Sequence, residues 1–356
     1  MAEQLLQIKT FSSINLDDPF FDSLKADYKE FANWFTKKGD QKAFVFEKAA
    51  GTGLEGFMYL KIEDGAVEDL LPPLPPAHRL KIGTFKINPH GTRLGERFLK
   101  RAFDYAIEAK ATSMYVTAFK KHAALIVLFE KYGFKEVATK VTGNGSEAVY
   151  ARSLIQTVGD VVLDYPRIPL QKDRHFVLSL YPEYHSKLLP DSLLKTEDAS
   201  ILTDVSHTNS IHKIYLTRME GVEQLVRGDT LLIYRTKDAG PAYFTSVVTS
   251  VGVVEELLHI SSFQTEQEFL NYCEPYSIFS VDELQRFYRT RRYQWLIRFT
   301  YNLALKKRIN RQALIEEVGL AADQYWGFFR VTTEQLRKLF ELSKDYEKAN
   351  SLVYTP

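Results

Sequence analysis

The stretch INPHGTRLGERFLKRAFDYA, residues 87–106, changes character halfway along its length. A strand-like run ends at Pro89, two glycines follow at Gly91 and Gly95, and an amphipathic pattern then begins. Glycines between two periodic segments are typical of a turn that closes a strand and opens a helix. The stretch therefore predicts a strand, a short turn and a helix over 94–109.

This turn has a second interpretation as a phosphate-binding loop. The first amides of a helix have no partner within the helix, and its N-terminus carries about half a positive charge. Glycines allow a ligand to approach the backbone closely, so a pyrophosphate can sit on such amides. Arg93 and Arg97 would add positive charge on the same side. This stretch alone is consistent with both a plain turn and a phosphate cradle.

Length and composition set the frame for the rest of the chain. A chain of 356 residues with 45% hydrophobic and 26% charged residues predicts a globular protein of two domains. The sequence has no apolar run long enough to span a membrane and no secretory pattern at MAEQLLQIKTF, so a cytoplasmic location is expected. Cys273, the single cysteine, excludes an intramolecular disulfide and a thiolate zinc cluster. His175 and His185 lack carboxylates at ligand spacing, and no metal site is predicted.

The first part of the chain alternates strand-like and helix-like segments. The segment DDPFFDSLKADYKEFANWFTKK, residues 17–38, predicts one helix because Leu24, Tyr28, Phe31 and Phe35 recur at helical spacing. Further helices are expected over 94–109 and from about 121 to 132. The resulting order, β-α-β-β-β-α-β-α-β-β, predicts an α/β (α+β) fold with a mixed sheet and flanking helices.

This order, the glycine turn and the later LFEKYGF segment resemble the GNAT (Gcn5-related N-acetyltransferase) family, over residues 1–154. The resemblance implies an acetyl-CoA-dependent acyltransferase whose loop, of pattern Q/R-x-x-G-x-G/A, holds the pyrophosphate of the cofactor on its amides. Laid on this sequence, the loop starts at His90 and matches the pattern only at its last glycine. The residues implied to bind the cofactor are Gly91, Thr92, Arg93, Leu94, Gly95 and Glu96.

A second motif of the same family aligns with HAALIVLFEKYGFKEV, residues 122–137. His122 stands where the family has Asn, and Phe129 stands where a tyrosine usually protonates the leaving thiolate. Phenylalanine has no proton to donate, so the usual general acid is missing. Tyr132, one turn further on, and His122 are the two candidate catalytic residues, each with a plain structural role as the alternative.

Prolines punctuate residues 155–199, which we interpret as a transition between two domains. Residues 200–356 are rich in strands, with short helices expected at 264–272, 281–288 and 310–318 and a closing helix at 332–348. Within this part, GDTLLIYRT and VVTSVGVVEE resemble the ASCH and EVE branch of the PUA-like superfamily. The resemblance implies a small β-barrel that binds RNA or a modified nucleotide.

The second half also carries a concentrated positive charge. Residues 286–311 contain nine Arg or Lys residues and no acidic residue, although the net charge of the chain is only +1. In YQWLIRFTY, alternation places Tyr293, Trp295, Ile297, Phe299 and Tyr301 on one face of a strand and Gln294, Arg298 and Thr300 on the other. Cations beside aromatic strands are typical of contacts with phosphates and stacked bases. The candidate RNA-binding residues, predicted to line one pocket, are Lys213, Arg235, Arg298 and Arg330.

The C-terminal stretch allows another interpretation. Residues 309–340, INRQALIEEVGLAADQYWGFFRVTTEQLRKLF, could form a helix-turn-helix with Gly319 in the turn and 332–339 as the reading helix. The aromatic segment QYWGFFRV is long for such a turn.

Three functional hypotheses remain open from the sequence. The first is an acyl-CoA-dependent N-acyltransferase that acts on an RNA, RNA-bound or nucleotide-related amine. The second is a non-catalytic nucleic-acid-binding regulator with a degenerate acetyltransferase scaffold, which Arg93 and Phe129 favour. The third is an enzyme that modifies a protein amine and uses the second domain for docking.

Overall fold

The connection at 88–93 joins a strand to a helix, as the glycine turn predicts. We obtained a computed structural model, which describes residues 6–48, 53–194, 197 and 204–355. A strand Leu74–Ile87 ends before the turn and a helix Leu94–Glu108 begins after it. The helix buries Leu94, Phe98 and Phe103 along one stripe, as its amphipathic pattern requires.

The chain divides into two units. The first comprises Met1–Thr157 and Leu202–Asp204, and the second comprises Val158–Ile201 and Val205–Pro356. The first unit thus ends three residues beyond the end at 154 expected from the sequence. The expected boundary between 199 and 200 lies outside the described residues.

The first unit is built on one mixed sheet. Its strands are β1 Gln7–Thr10, β2 Lys42–Glu47, β3 Leu54–Val67, β4 Leu74–Ile87, β5 Ser113–Ala118, β6 Lys135–Thr142 and β7 Gly145–Ser153. Its helices are α1 Asp22–Asp27, α2 Phe31–Lys37, α3 Leu94–Glu108 and α4 Ala123–Lys131. The strand order is β1-β2-β3-β4-β5-β7-β6, in which only β4 and β5 pair in parallel. The mixed α/β fold predicted from the order of elements is confirmed.

The helix expected over 17–38 is two short helices. Between α1 and α2, Tyr28 adopts an extended backbone with φ −130° and ψ 103°, which ends α1. Phe31 and Phe35 still face the core formed with Phe11, Phe21 and Phe57, so the apolar spacing predicts the buried face correctly. Helical spacing does not reveal the break, because Tyr28 and Phe31 are three residues apart in the sequence, as they would be on one face of a continuous helix.

The second unit is built on a six-stranded sheet. Its strands are β8 Ile168–Pro169, β9 His175–Leu180, β10 His212–Thr217, β11 Thr230–Arg235, β12 Val247–His259, β13 Trp295–Asn310, β14 Phe328–Val331 and β15 Val353–Tyr354. Its helices are α5 Pro182–Leu188, α6 Ser206–Asn209, α7 Ala242–Thr245, α8 Glu266–Cys273, α9 Val281–Thr290, α10 Arg311–Glu316, α11 Thr333–Leu342 and α12 Tyr346–Leu352. The large sheet has the order β10-β13-β12-β11-β9-β14, and β8 pairs separately with β15. Across the described residues no pairing joins β10 to β14, so the sheet does not close into the predicted barrel.

Two sequence interpretations of the second unit change in the structure. The transition segment contributes β9, which lies between β11 and β14, because its apolar residues Phe176–Leu178 are fully buried there. The aromatic segment before α11 forms β14, which pairs with β9. A strand therefore separates α10 from α11, and the helix-turn-helix interpretation is wrong.

The face predicted for β13 holds for most of its members. Ile297, Phe299 and Tyr301 are buried in one core, and Trp295 packs against it. Tyr293, which precedes the strand, packs in a separate cluster around α8 and α9. On the opposite face Thr300 is fully buried, because neighbouring strands cover it on both sides.

Candidate functional site

Strands β4 and β5 separate at the centre of the first sheet. Their parallel register runs from Arg79 opposite Ser113 to Ile82 opposite Val116. Beyond that point β4 stays paired with β3 as far as Ile87, whereas β5 stays paired with β7 as far as Ala118. Two strand edges therefore face a gap in the middle of the sheet, where an extended ligand can add hydrogen bonds to the backbone.

The cause of the separation is visible in β4. The register between β3 and β4 shifts so that Tyr59 faces Thr84 and Leu60 faces Ile82, which leaves Gly83 as an extra residue. Such a bulge bends the strand that carries it. A Cβ atom at Gly83 would lie 2.9 Å from the Tyr59 ring, so this position requires a glycine.

A cavity of about 350 Å³ lies over this gap. Its walls come from five parts of the first unit: the α1–α2 connection, β3, the separated ends of β4 and β5, the start of α4, and the β6–β7 hairpin. The strand residues at the gap are Gly83, Thr84, Phe85, Val116, Thr117 and Ala118. These segments are far apart in sequence and meet only because of the sheet order.

One wall of the cavity contains a buried carboxylate. The hydroxyl of Tyr28 donates to Oε1 of Glu147 at 2.6 Å, and Glu147 is only 4% exposed. Burial and the bond to Glu147 raise the pKa of Tyr28 well above its ordinary value. The phenol therefore stays protonated at neutral pH and acts as a donor, while Glu147 is the acceptor of the pair. A carboxylate in this position can accept a proton from a bound amine.

His122, a candidate from the sequence, also lines the cavity. It precedes α4, and its Nε2 lies 3.0 Å from Oδ2 of Asp27 at the end of α1. Burial works to raise the pKa of Asp27, but hydrogen bonds from Lys121 and His122 outweigh it and the pKa is lowered. Asp27 is thus a carboxylate that orients the imidazole.

One end of the cavity is basic. Lys61, Lys81 and Lys140 line it, together with the carboxylate of Glu63. Glu63 accepts from Lys61 at 3.0 Å and also from the hydroxyl of Tyr115. Burial works to raise the pKa of Glu63, but these hydrogen bonds outweigh it and lower the pKa. The cavity lining therefore carries three ammonium groups as well as Glu147, and Lys140 lies directly across from Glu147 in the register of β6 and β7.

Tyr132, the other candidate catalytic residue, lies outside the cavity. It follows α4, is fully buried, and packs its ring 6.5 Å from that of Phe103. The structure therefore does not bring Tyr132 together with His122 at the cavity. Phe129 is also fully buried, and its ring lies 5.5 Å from Phe85 of the cavity wall. Phe129 thus packs behind the cavity wall, in the core of the first unit.

The predicted phosphate loop sits at the end of β4, where the strands have separated. Gly91 and Arg93 both have left-handed backbone, with φ of 85° and 58°, and α3 begins directly afterwards with Leu94 and Gly95. The hydroxyl of Thr92 lies 2.9 Å from Nε2 of His90.

One amide of this loop already has a partner, because the amide of Glu96 donates to the carbonyl of Arg93 at 2.9 Å. The Glu96 side chain binds Lys131 at 2.9 Å and Arg93 at 3.4 Å. The expected role of Gly91–Glu96 in cofactor binding stays a prediction.

The four predicted RNA-binding residues do not share a pocket. Lys213 on β10 is fully buried and donates to the carbonyl of His207 at 2.5 Å. Arg235, at the end of β11, is 3% exposed and pairs with Glu197 at 3.1 Å and Asp238 at 3.3 Å. Both side chains are held by other parts of the second unit.

The other two cations lie elsewhere in the same sheet. Arg298 on β13 pairs with Glu255 at 3.3 Å and lies 4.7 Å from the ring of Tyr276. Arg330 lies on β14 at the sheet edge, and its guanidinium donates to Gln224 at 3.1 Å. Strands β10 and β13 are neighbours, whereas β11 and β14 lie further along the sheet, so the structure does not place all four residues side by side. Their role in RNA binding stays a prediction.

Sequence inspection missed the carboxylate and the lysines of the cavity. A signal was present in the strands: charged residues alternate with apolar ones at Lys61, Glu63 and Lys81, although central strands usually bury both faces. Glu147 likewise interrupts an otherwise small and apolar strand. Such charges in a central sheet indicate a polar cavity, but they do not show which strands are neighbours.

Other types of site were searched for in the described ranges. They contain no cluster of His, Cys, Asp or Glu suited to hold a metal ion. None of their helices has the length and apolar character needed to cross a bilayer. Cys273 is buried, and burial raises the pKa of its thiol, so it is not a reactive nucleophile.

Comparison with known proteins gives similarity only at the level of solved structures. No family model matches the chain. No curated protein matches it either.

Three similar structures illustrate this likeness. The ASCH protein from Zymomonas mobilis has 12% identity and a TM-score of 0.30 over 48% of this chain and 96% of that chain. A chain of the NatC complex bound to Gag peptide and CoA has 13% identity and a TM-score of 0.29 over 42% of this chain and 98% of that chain. Ard1 from Thermoplasma volcanium has 13% identity and a TM-score of 0.31 over 42% of this chain and 98% of that chain.

Proposed function

We propose that the first unit is an acyl-CoA-dependent N-acyltransferase and that its acceptor is an RNA, RNA-bound or nucleotide-related amine. The observation that carries the proposal is the gap between β4 and β5, which opens beneath a cavity with a buried carboxylate. A gap with two strand edges suits an extended ligand, and α3 begins where β4 ends. Bound acetyl-CoA would supply the thioester whose acyl carbon the amine attacks.

The residues of the chain have distinct roles in this proposal. Glu147 takes a proton from the attacking ammonium, directly or through one water, and leaves the nucleophilic free amine. Tyr28 holds Glu147 in place through its hydroxyl. After the attack, His122, oriented by Asp27, can take the second proton that the nitrogen loses and pass it to the departing thiolate, which leaves as the CoA thiol. Tyr132 has no such access, because it is buried outside the cavity.

Isothermal titration with acetyl-CoA tests the first step. Wild-type protein is expected to bind, and Gly95→Trp is expected to lose binding. A Cβ atom at Gly95 would lie 3.0 Å from Leu128, so an indole there has to displace the first turn of α3 from its packing on α4. Gly143→Ala is the control, since a Cβ atom there meets no atom within 4 Å. No binding of acetyl-CoA at millimolar concentration would overturn the proposal.

Labelled acetyl-CoA incubated with total tRNA and with amine pools tests the second step. Transfer of label to RNA supports the proposed acceptor, and transfer to protein amines alone would favour the docking alternative. Binding of acetyl-CoA or RNA without any transfer would favour a non-catalytic regulator. The buried Phe129 in place of a tyrosine is the observation that supports this second candidate.

A further inference from the structure

The basic end of the cavity holds more positive charge than its carboxylates balance. Lys61 and Lys81 face each other directly across β3 and β4. Like charges in this register repel each other, and a fold retains them only with some compensation. Glu63 is the carboxylate that lines the cavity beside them, while Asp69 pairs with Lys140 from a position that is 61% exposed.

Lys81 is the least satisfied of the three lysines. Its side chain is 24% exposed, and its nearest carboxylate oxygen, Oε1 of Glu63, is 3.8 Å away. That distance is too long for a hydrogen bond. Among the residues that the structure describes, the Lys81 ammonium donates no hydrogen bond to protein, although it has three donors. Its one close packing partner is the ring of Tyr115, at 5.4 Å from Nζ.

The charges of Lys61 and Lys140 both act on the Lys81 ammonium. Both Lys140 and Lys61 disfavour the charge on Lys81, and burial of Lys81 is the largest cause of its lowered pKa. Three ammonium groups from β3, β4 and β6 therefore converge on one end of the cavity. An oxyanion placed there would relieve their repulsion and accept the unused donors of Lys81.

The carboxylates Glu147 and Glu30 of the cavity lining have the opposite preference, because they would repel an anion placed beside them. An ammonium or amine is favoured beside Glu147, where the acyl transfer proposed above needs it. A ligand with two ammonium groups, in contrast, would place one of them against the lysines.

We propose that the acceptor is an amine that also carries an oxyanion, either a carboxylate or a phosphate, and that Lys61, Lys81 and Lys140 bind this oxyanion. The inference rests on the proposed function, because only an acyltransferase makes the bound amine an acceptor. Its specific content is that the lysine end of the cavity selects substrates by charge.

The test uses four primary amines that differ in the group at the far end. They are 2-aminoethyl phosphate, β-alanine, propylamine and 1,3-diaminopropane. Acyl transfer from acetyl-CoA is followed by release of the CoA thiol, and kcat/KM is compared. We expect at least one of the two anionic amines to exceed propylamine by about tenfold or more, as for a charge-assisted hydrogen bond. The diamine is expected to fall below propylamine. The ranking of the two anionic amines identifies phosphate or carboxylate.

Variants connect this preference to the lysines. Lys81→Met keeps most of the aliphatic stem and removes the charge, so the ratio of anionic to neutral amine should fall towards one. Lys140→Gln should lower the ratio less, because the Lys140 ammonium already pairs with Asp69, and this variant serves if Lys81→Met does not fold. Lys42→Gln, at an exposed position of β2 outside the cavity, should keep the wild-type ratio. A preference that is absent in the wild type, or unchanged in both cavity variants, overturns the inference.

Failure of the transferase proposal can be distinguished from failure of the oxyanion site. If no amine is acylated, titration of 2-aminoethyl phosphate and of ethanolamine into the protein without acetyl-CoA decides the charge preference alone. Tighter binding of the phosphate, weakened by Lys81→Met, supports an oxyanion site without transfer. Equal binding of the two compounds overturns the site as well.

Discussion

At the scale of single residues, the cavity depends on side chains that hold each other in position through hydrogen bonds. Tyr28 is useful because its backbone leaves the helical conformation, which lets its hydroxyl reach Glu147 on the distant strand β7. Glu147 is buried next to this one donor and faces a cavity that a ligand can fill. The bond from Tyr28 thus fixes the position of a carboxylate that faces the cavity.

The first prediction concerns this carboxylate. Glu147→Gln keeps the size of the side chain and removes its ability to accept a proton, so kcat for acyl transfer should fall by about 100-fold or more. Affinity for acetyl-CoA, measured by titration, should stay the same, because Glu147 lies on the acceptor side of the gap. Glu136→Gln, at an exposed position of β6, is the matched control. Full activity in Glu147→Gln would exclude Glu147 as the general base.

At the scale of elements, two irregularities create the site. The bulge at Gly83 turns β4 away from β5, and the break between α1 and α2 places Tyr28 over the opening. Regular elements around them provide the rigid support, and α3 packs closely on β3. The closest approach is at Gly56, where a Cβ atom would lie 2.5 Å from the ring of Phe98.

The second prediction tests this packing. Gly56→Ala should lower the free energy of unfolding of the first unit by about 1–3 kcal/mol, because Phe98 is fully buried and has no space to move. Gly143→Ala in the same unit meets open space and should change stability by less than about 0.5 kcal/mol. Urea unfolding of both variants gives the comparison. Equal urea midpoints for the two variants would show that α3 can shift without a loss of stability.

At the scale of the whole molecule, buried histidines make the stability of the second unit sensitive to acid. The second unit contains His185, which is fully buried with Nε2 2.7 Å from the hydroxyl of Thr249. Burial lowers the pKa of His185 to about 3, and the nearby charges of Arg235 and Arg308 add to the effect. Burial also lowers the pKa of His175 and that of His207 to about 4.

The third prediction follows from the sign of this shift. A histidine with a lowered folded pKa binds its proton more readily in the unfolded chain, so acid favours unfolding. The contribution of His185 to stability is complete above its ordinary pKa of 6.5 and is lost progressively as pH falls towards 3. At pH 5 the loss should reach about 2 kcal/mol.

Urea unfolding at pH 7 and pH 5 measures this loss. Wild-type protein and the control His259→Gln, in which the surface residue bonded to Ser261 is replaced, should show the same pH dependence. His185→Gln should show a weaker one, whatever its stability at pH 7. An identical pH dependence in all three proteins would contradict the assignment to His185.

Much of the first unit could be predicted from local sequence pattern. The order of strands and helices follows from apolar periodicity, and the start of α3 after Gly91 follows from the turn chemistry at that point. The apolar positions Phe31 and Phe35 are buried as their spacing indicates, even though the helix that carries them is interrupted. Local pattern is sufficient here because period and turn type are properties of neighbouring residues.

Only the tertiary structure decided which residues form the site. Tyr28, Glu147 and Lys81 line one cavity because sheet order and register bring three distant segments together, whereas Tyr132 is buried outside that cavity. Likewise, Arg330 and Lys213 lie on opposite edge strands of the second sheet, although the sequence analysis assigns both to one pocket. Periodicity shows which residues of a segment are buried and which are exposed. The strand that becomes its neighbour in a sheet is instead determined by the free energy of the whole fold.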